Sequence, residues 1–191
     1  MAEAIDRTIE CGERTMSSLS IETRSDLAAP AASVAAVTLP FGDDLPPQLL
    51  DARRQAAEAG LIFAGSVTPV DAWRLVQQGA ARLVDVRSPE ELKFVGRVPE
   101  AINVPWASGT ALTRNPRFVK ELEARVGDRK GVLLLLCRSG KRSAEAAAAA
   151  SKAGFRLVFN VLEGFEGELN GHQQRGTVGG WRHHGLPWLQ D

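Results

Sequence analysis

One thiol stands where a buried strand gives way to a helix, inside the run G-V-L-L-L-L-C-R-S-G-K-R-S at residues 131–143. Residues 132–136 are continuously apolar, the pattern of a central parallel strand covered on both faces, and the alanine-rich stretch 143–153 predicts helix. Cys137 therefore falls in a strand-to-helix turn. In open α/β sheets ligands bind at such turns, and the helix behind supplies unpaired N–H groups and a positive dipole end, surroundings that favour thiolate over thiol. Six residues, Cys137, Arg138, Ser139, Gly140, Lys141 and Arg142, are read as the connection, with Ser143 opening the helix. Gly140 can take positive φ, so successive N–H groups can turn inward as an anion-binding nest, and three cationic side chains add to its field. A thiolate needs no adjacent base to act as a nucleophile. A cysteine after an apolar strand can also be a small buried hydrophobe. The helix start, the glycine and the clustered cations argue for chemistry instead.

The elements that must position this turn are legible in the punctuation. Pro47 starts a helical spacing that stops at Gly60, and Thr68-Pro69 opens a second helix ending at Gly79. Residues 81–86 (A-R-L-V-D-V) read as a strand, and Ser88-Pro89-Glu90-Glu91 as a capping box that starts a brief helix. Residues 101–105 are another candidate strand, Asn115-Pro116 begins a helix closed by Gly127, and residues 156–162 form a last strand before one helical turn at 181–184. Strands alternating with helices predict a mainly parallel sheet in a three-layer α/β domain. Residues 66–191 are assigned to that domain, 45–65 to a helix and linker leading into it, and 1–44 to a flexible extension too poor in pattern to fold alone.

Composition narrows the class. The chain has 23 basic and 23 acidic residues, a balance that argues against a nucleic-acid or anionic-membrane partner while allowing one local basic pocket. Two cysteines, Cys11 and Cys137, make no disulfide framework, so a reducing cytoplasm is expected. No apolar stretch is long enough to span a bilayer, and the N-terminus lacks the pattern of a secretory signal.

Four segments, in order, resemble a single rhodanese (sulfurtransferase) domain from residue 67 to 189. Leu83-Val84-Asp85-Val86-Arg87 resembles the family's strand ending in D-x-R. Residues 96–105 (G-R-V-P-E-A-I-N-V-P) resemble its G-H-I-x-G-A-x-N-I-P segment, with Arg97 in the usual His place. Cys137 to Arg142 resembles its six-residue active loop, and Val161-Leu162-Glu163-Gly164 with Gly179-Gly180-Trp181 and Gly185-Leu186-Pro187 its closing L-x-G-G…W…G-L-P. The resemblance implies that Cys137 takes sulfane sulfur from a small anionic donor such as thiosulfate and passes it, through a persulfide, to cyanide or a thiol. Arg138, Ser139, Gly140, Lys141, Arg142 and Ser143 would hold the donor, with no cofactor. Related phosphatases carry a longer C-x5-R loop; the C-x4-R spacing here favours sulfur. The alternative is a relay module that hands its sulfur to a protein acceptor.

Other residues carry weaker expectations. Asp85 and Arg87 could orient the cysteine loop, as an internal ion pair more structural than catalytic. Trp106 could wall a pocket or fill the core. Residues 165–178 depart from the family pattern as an insertion that could fold over the active-site edge and bring His172 or Arg175 near Cys137, or be a surface elaboration. Cys11 could in principle resolve a persulfide, and the adjacent His183 and His184, with no Cys or carboxylate at ligand spacing, are not expected to hold a metal.

Overall fold

The computed structural model describes residues 45–190. The flexible extension expected over residues 1–44, with Cys11, lies outside the described residues. Seven strands and five helices follow in the order α1 (Pro47–Glu58), β1 (Gly65–Val67), α2 (Pro69–Gln77), β2 (Arg82–Asp85), α3 (Pro89–Val95), β3 (Ile102–Asn103), β4 (Ala107–Ser108), β5 (Thr113–Arg114), α4 (Phe118–Val126), β6 (Leu133–Leu136), α5 (Lys141–Lys152) and β7 (Val158–Val161). Five strands form one sheet in the order β1-β7-β6-β2-β3, with every neighbouring pair parallel. The mainly parallel α/β architecture is the one expected.

The four leucines of β6 explain the layers. Side chains alternate across a strand, so Leu134 and Leu136 face one way and Leu133 and Leu135 the other. The first pair joins Leu49 and Ala52 of α1, Leu75 of α2, Val161 and Trp181 in one core. The second joins Phe118, Leu122 and Val126 of α4 and Ala146, Ala147 and Ala150 of α5 in the other. No polar face is needed, because neither face of β6 meets water. At ~1.5–3 kcal/mol for each large side chain removed from water, the α4 stripe alone is worth several kcal/mol.

Several boundaries differ from the sequence reading. The strand β1 pairs in register with β7, Gly65 opposite Phe159 and Val67 opposite Val161, and its Gly-Ser-Val sequence carries no alternation to reveal it. The α1 helix contributes to the same core as the sheet, through Leu49 and Ala52. An antiparallel hairpin, β4 with β5, occupies the span between β3 and α4, and α4 begins at Phe118 rather than at Asn115. Residues 181–184 form turns and no helix. The α5 helix starts at Lys141, so the strand-to-helix connection is four residues, Cys137 to Gly140, and Lys141, Arg142 and Ser143 form the first helical turn.

Candidate active site

Cys137 follows the C-terminal end of β6, the middle strand of the five-stranded sheet, and Gly140 (φ 89°) turns the chain into α5. No side chain caps that helix, so its first N–H groups remain the orphan donors that any helix start carries. The thiol is free and buried, only 1% exposed. Its sulfur accepts from the Gly140 N–H at 3.2 Å and lies 3.2 Å from the Ser143 hydroxyl. Ser143 is fully buried, and its oxygen also approaches the Gly140 carbonyl at 3.1 Å and Asn160 Oδ1 at 2.7 Å. One hydroxyl proton serves three acceptors, so it can be given to sulfur when charge develops there.

Three separate braces hold the turn. The Phe165 N–H donates to the Cys137 carbonyl at 2.7 Å and the Glu166 N–H to the Arg138 carbonyl at 2.9 Å, which ties the segment after β7 to the backbone of the loop. Gly164 (φ 65°) makes that approach possible, since a Cβ there would sit 2.5 Å from the Cys137 carbonyl oxygen. Glu163, itself at φ 63°, secures the far side by accepting from the Gly180 N–H at 2.7 Å and facing His184 Nε2 at 2.8 Å. Partial burial pushes the Glu163 carboxyl up, but the Gly180 N–H and His184 outweigh it and hold it below the ordinary carboxylate value.

The cations of the turn are not equivalent. Arg142 forms a forked ion pair with Glu91 of α3, Nη1 to Oε2 at 2.8 Å and Nη2 to Oε1 at 2.6 Å. Hydrogen bonding to Glu91 raises the Arg142 value against its burial, aided by the charges of Glu91, Cys137 and Asp85. Burial works to raise Glu91, and the bonds from Arg142 and the Ser88 N–H reverse that to a net lowering. Lys141 reaches Glu168 at 3.3 Å on the surface. Arg138 makes no ion pair among the described residues, and its buried Nε has no hydrogen-bond partner. Ser139 is half-buried beside it.

A strand that ends in D-x-R, a cysteine turn at the next strand and a glycine closing motif packed on that turn now stand in one place. A family model for the rhodanese-like domain matches residues 68–168, more than half of the chain. The chain belongs to the rhodanese-like domain family. It is similar to Rv0390 from M. tuberculosis, whose crystal structure is 43% identical and superposes with a TM-score of 0.61, covering 68% of this chain and 99% of that one. The uncharacterized protein RP600 of Rickettsia prowazekii is 33% identical over 115 residues, 60% of this chain and 87% of its own length. Thiosulfate sulfurtransferase 16, chloroplastic, of Arabidopsis thaliana is 33% identical over 86 residues, 44% of this chain and 70% of its own.

Within this rhodanese-like frame Asp85 and Arg87 form a fully buried pair, Arg87 Nη2 to Asp85 Oδ2 at 2.6 Å and Nε to both carboxylate oxygens. The pair makes no hydrogen bond to the cysteine turn. Arg87 instead donates to the Gly96 carbonyl at 2.9 Å and lies 4.0 Å above the Phe165 ring, so it steadies the turn through the residue whose N–H holds Cys137. Trp106 is a core aromatic, 5% exposed, with its Nε1–H on Glu145 and the Phe118 ring against it at 5.0 Å. It also lines a shallow cavity of about 240 Å³ with Arg114 and Asn115, so both of its expected roles are realised in part. The insertion folds beside the turn, but His172 is exposed and Arg175 donates to the Gly167 carbonyl at 2.5 Å; neither touches Cys137. His183 and His184 stack edge to face, and among the described residues no His, Cys, Asp or Glu cluster could hold a metal. No described helix is long and apolar enough to cross a membrane.

Two residues of the site escaped the sequence reading. Asn160, 5% exposed in β7 and bonded to Ser143, was signalled by being the one polar residue in the apolar run 157–162. In the sequence Glu91 reads as a helix cap, and nothing in its spacing announces a partner 51 residues away.

Proposed function

We propose that the protein is a sulfurtransferase working through a Cys137 persulfide. The observation that carries it is the sulfur held by the Gly140 N–H and the Ser143 hydroxyl in front of an uncapped helix start, within a rhodanese-like domain. The Cys137 thiolate attacks the outer sulfur of a donor such as thiosulfate; the new S–S bond forms as the donor's S–S bond breaks, and sulfite leaves with the electron pair. A nucleophilic acceptor, cyanide or a thiolate, then takes the outer sulfur and Cys137 departs as thiolate. Negative charge starts on the Cys137 sulfur and, once sulfite has left, rests on the outer sulfur of the persulfide, where the fixed N–H dipoles of the turn stabilise it without reorganisation.

Intact-mass measurement after exposure to thiosulfate tests this reading. A gain of one sulfur atom on Cys137, lost again on adding cyanide with release of thiocyanate, is expected. No gain with any sulfane donor would overturn it. A second reading, relay to a protein acceptor, is favoured by Phe94, which stands 70% exposed on the same helix as Glu91. Sulfur loading without turnover on small acceptors would select it.

A further inference from the structure

Glu91 uses one carboxylate twice. Its Oε2 accepts from the Ser88 N–H at 3.0 Å, closing the α3 capping box, and also from Arg142 Nη1 at 2.8 Å, while Oε1 takes Arg142 Nη2 at 2.6 Å. The two side chains are only 14% and 19% exposed, so the pair is little screened by solvent. Both prongs of the guanidinium fork, the geometry that would grip an oxyanion, are thereby occupied. Lys141 meets Glu168 only on the open surface, where solvent screens the pair, so Arg142 is the cation of the turn whose fork is locked, and among the described residues Arg138 is held by no carboxylate.

We propose that Glu91 is a specificity-determining residue that withholds the Arg142 fork from sulfur donors, so that the Cys137 site favours singly charged sulfane donors over the thiosulfate dianion. This rests on the reading of Cys137 as the sulfur acceptor. Methanethiosulfonate is the matched probe: Cys137 thiolate takes its terminal sulfur, the S–S bond breaks, and methanesulfinate leaves with the electron pair. The leaving chemistry parallels that of thiosulfate with one charge fewer.

The test is Glu91→Gln, which keeps an oxygen for the Ser88 N–H and releases the fork. Freed Arg142 offers the dianion a charge-assisted bidentate contact, so KM for thiosulfate should fall about tenfold with kcat little changed, and KM for methanethiosulfonate should move much less. Adding Arg142→Gln should erase the gain. An equal loss with both donors, or an unchanged ratio, would make Glu91 a strut only and overturn the proposal. Protection of Cys137 from iodoacetamide by sulfate supplies a readout without turnover: it should strengthen about tenfold in the Glu91→Gln protein, and no strengthening counts against the proposal. Failure of the sulfurtransferase reading is separate, showing as no sulfur on Cys137 of the unaltered protein with either donor.

Discussion

At the scale of single residues the proposed chemistry falls on Cys137 and Ser143, and each makes its own prediction. Cys137→Ser should abolish sulfur loading and thiocyanate formation while leaving the thermal unfolding midpoint within a few degrees, because the side chains are nearly isosteric in a closely packed site. Full activity in that protein would sink the mechanism. Ser143→Ala removes the hydroxyl 3.2 Å from sulfur and leaves Asn160 Oδ1 without its bond. A hydrogen bond to a charged group contributes ~1.5–3 kcal/mol, so persulfide formation should slow by about tenfold or more. Stopped-flow alkylation and single-turnover loading would show whether the loss lies in the thiolate or in folding. The buried Asp85–Arg87 pair belongs at this scale as a support. Removing either partner strands an uncompensated charge at a cost of about 3–5 kcal/mol, far above what a surface pair such as Arg129–Glu123 could register.

Elements meet at Gly164, and a substitution there set against one at the open Gly171 separates close packing from mere loss of a glycine. Gly164→Ala would force a Cβ onto the Cys137 carbonyl and the Arg138 backbone at positive φ, which should cost roughly 2–5 kcal/mol and release the turn. Gly171→Ala, in the insertion that follows and with open space around it, should change stability by less than about 0.5 kcal/mol. Urea titration of both variants checks the contrast, and equal effects would mean that the closing segment does not clamp the turn. Lengthening the turn is the complementary change. One residue inserted between Ser139 and Gly140 breaks the spacing that sets the Gly140 N–H and the Ser143 hydroxyl on sulfur, so loading by thiosulfate should drop steeply. What the sequence showed of these elements depended on how each is stabilised. The β6 strand was plain because four leucines bury both faces, and α5 because alanine fills the helix, although its start was placed two residues late since Lys141 and Arg142 look like loop cations. By contrast β1, β4 and β5 are two or three residues long and owe their pairing to neighbours, a tertiary effect with no local signature. The Glu91–Arg142 pair was invisible for the same reason: it joins two elements that only the fold brings together.

For the whole molecule the balanced charge count conceals a strong internal pairing of carboxylates with cations and amides. Glu91 is held below its ordinary value of 4.5 despite burial, and Glu163 is likewise lowered; the exposed Glu123 and Asp128 are lowered too, the first chiefly by its bond from Arg129 and the second by the Lys130 and Gly131 N–H groups. Every one of these shifts has the same sign. A carboxyl whose value is depressed on folding binds fewer protons in the native state than in the unfolded one, so its contribution is complete above the unfolded value and is lost as pH falls through the folded value. Stability should therefore be flat near neutrality and decline below about pH 4.5, the ordinary glutamate value, steepening as the lowered groups protonate. Salt separates the contributors: at 1 M ionic strength exposed pairs such as Glu123–Arg129 should weaken, whereas Glu91, 19% exposed against Arg142, should keep its effect. Chemical denaturation at a series of pH values in high salt, run on the unaltered protein and on Glu91→Gln, makes the prediction concrete. The variant should be less stable at pH 7 and the two curves should converge in acid, since protonated Glu91 and glutamine are electrically alike. Parallel curves would show that the ion pair between α3 and the cysteine turn contributes nothing to holding the domain together.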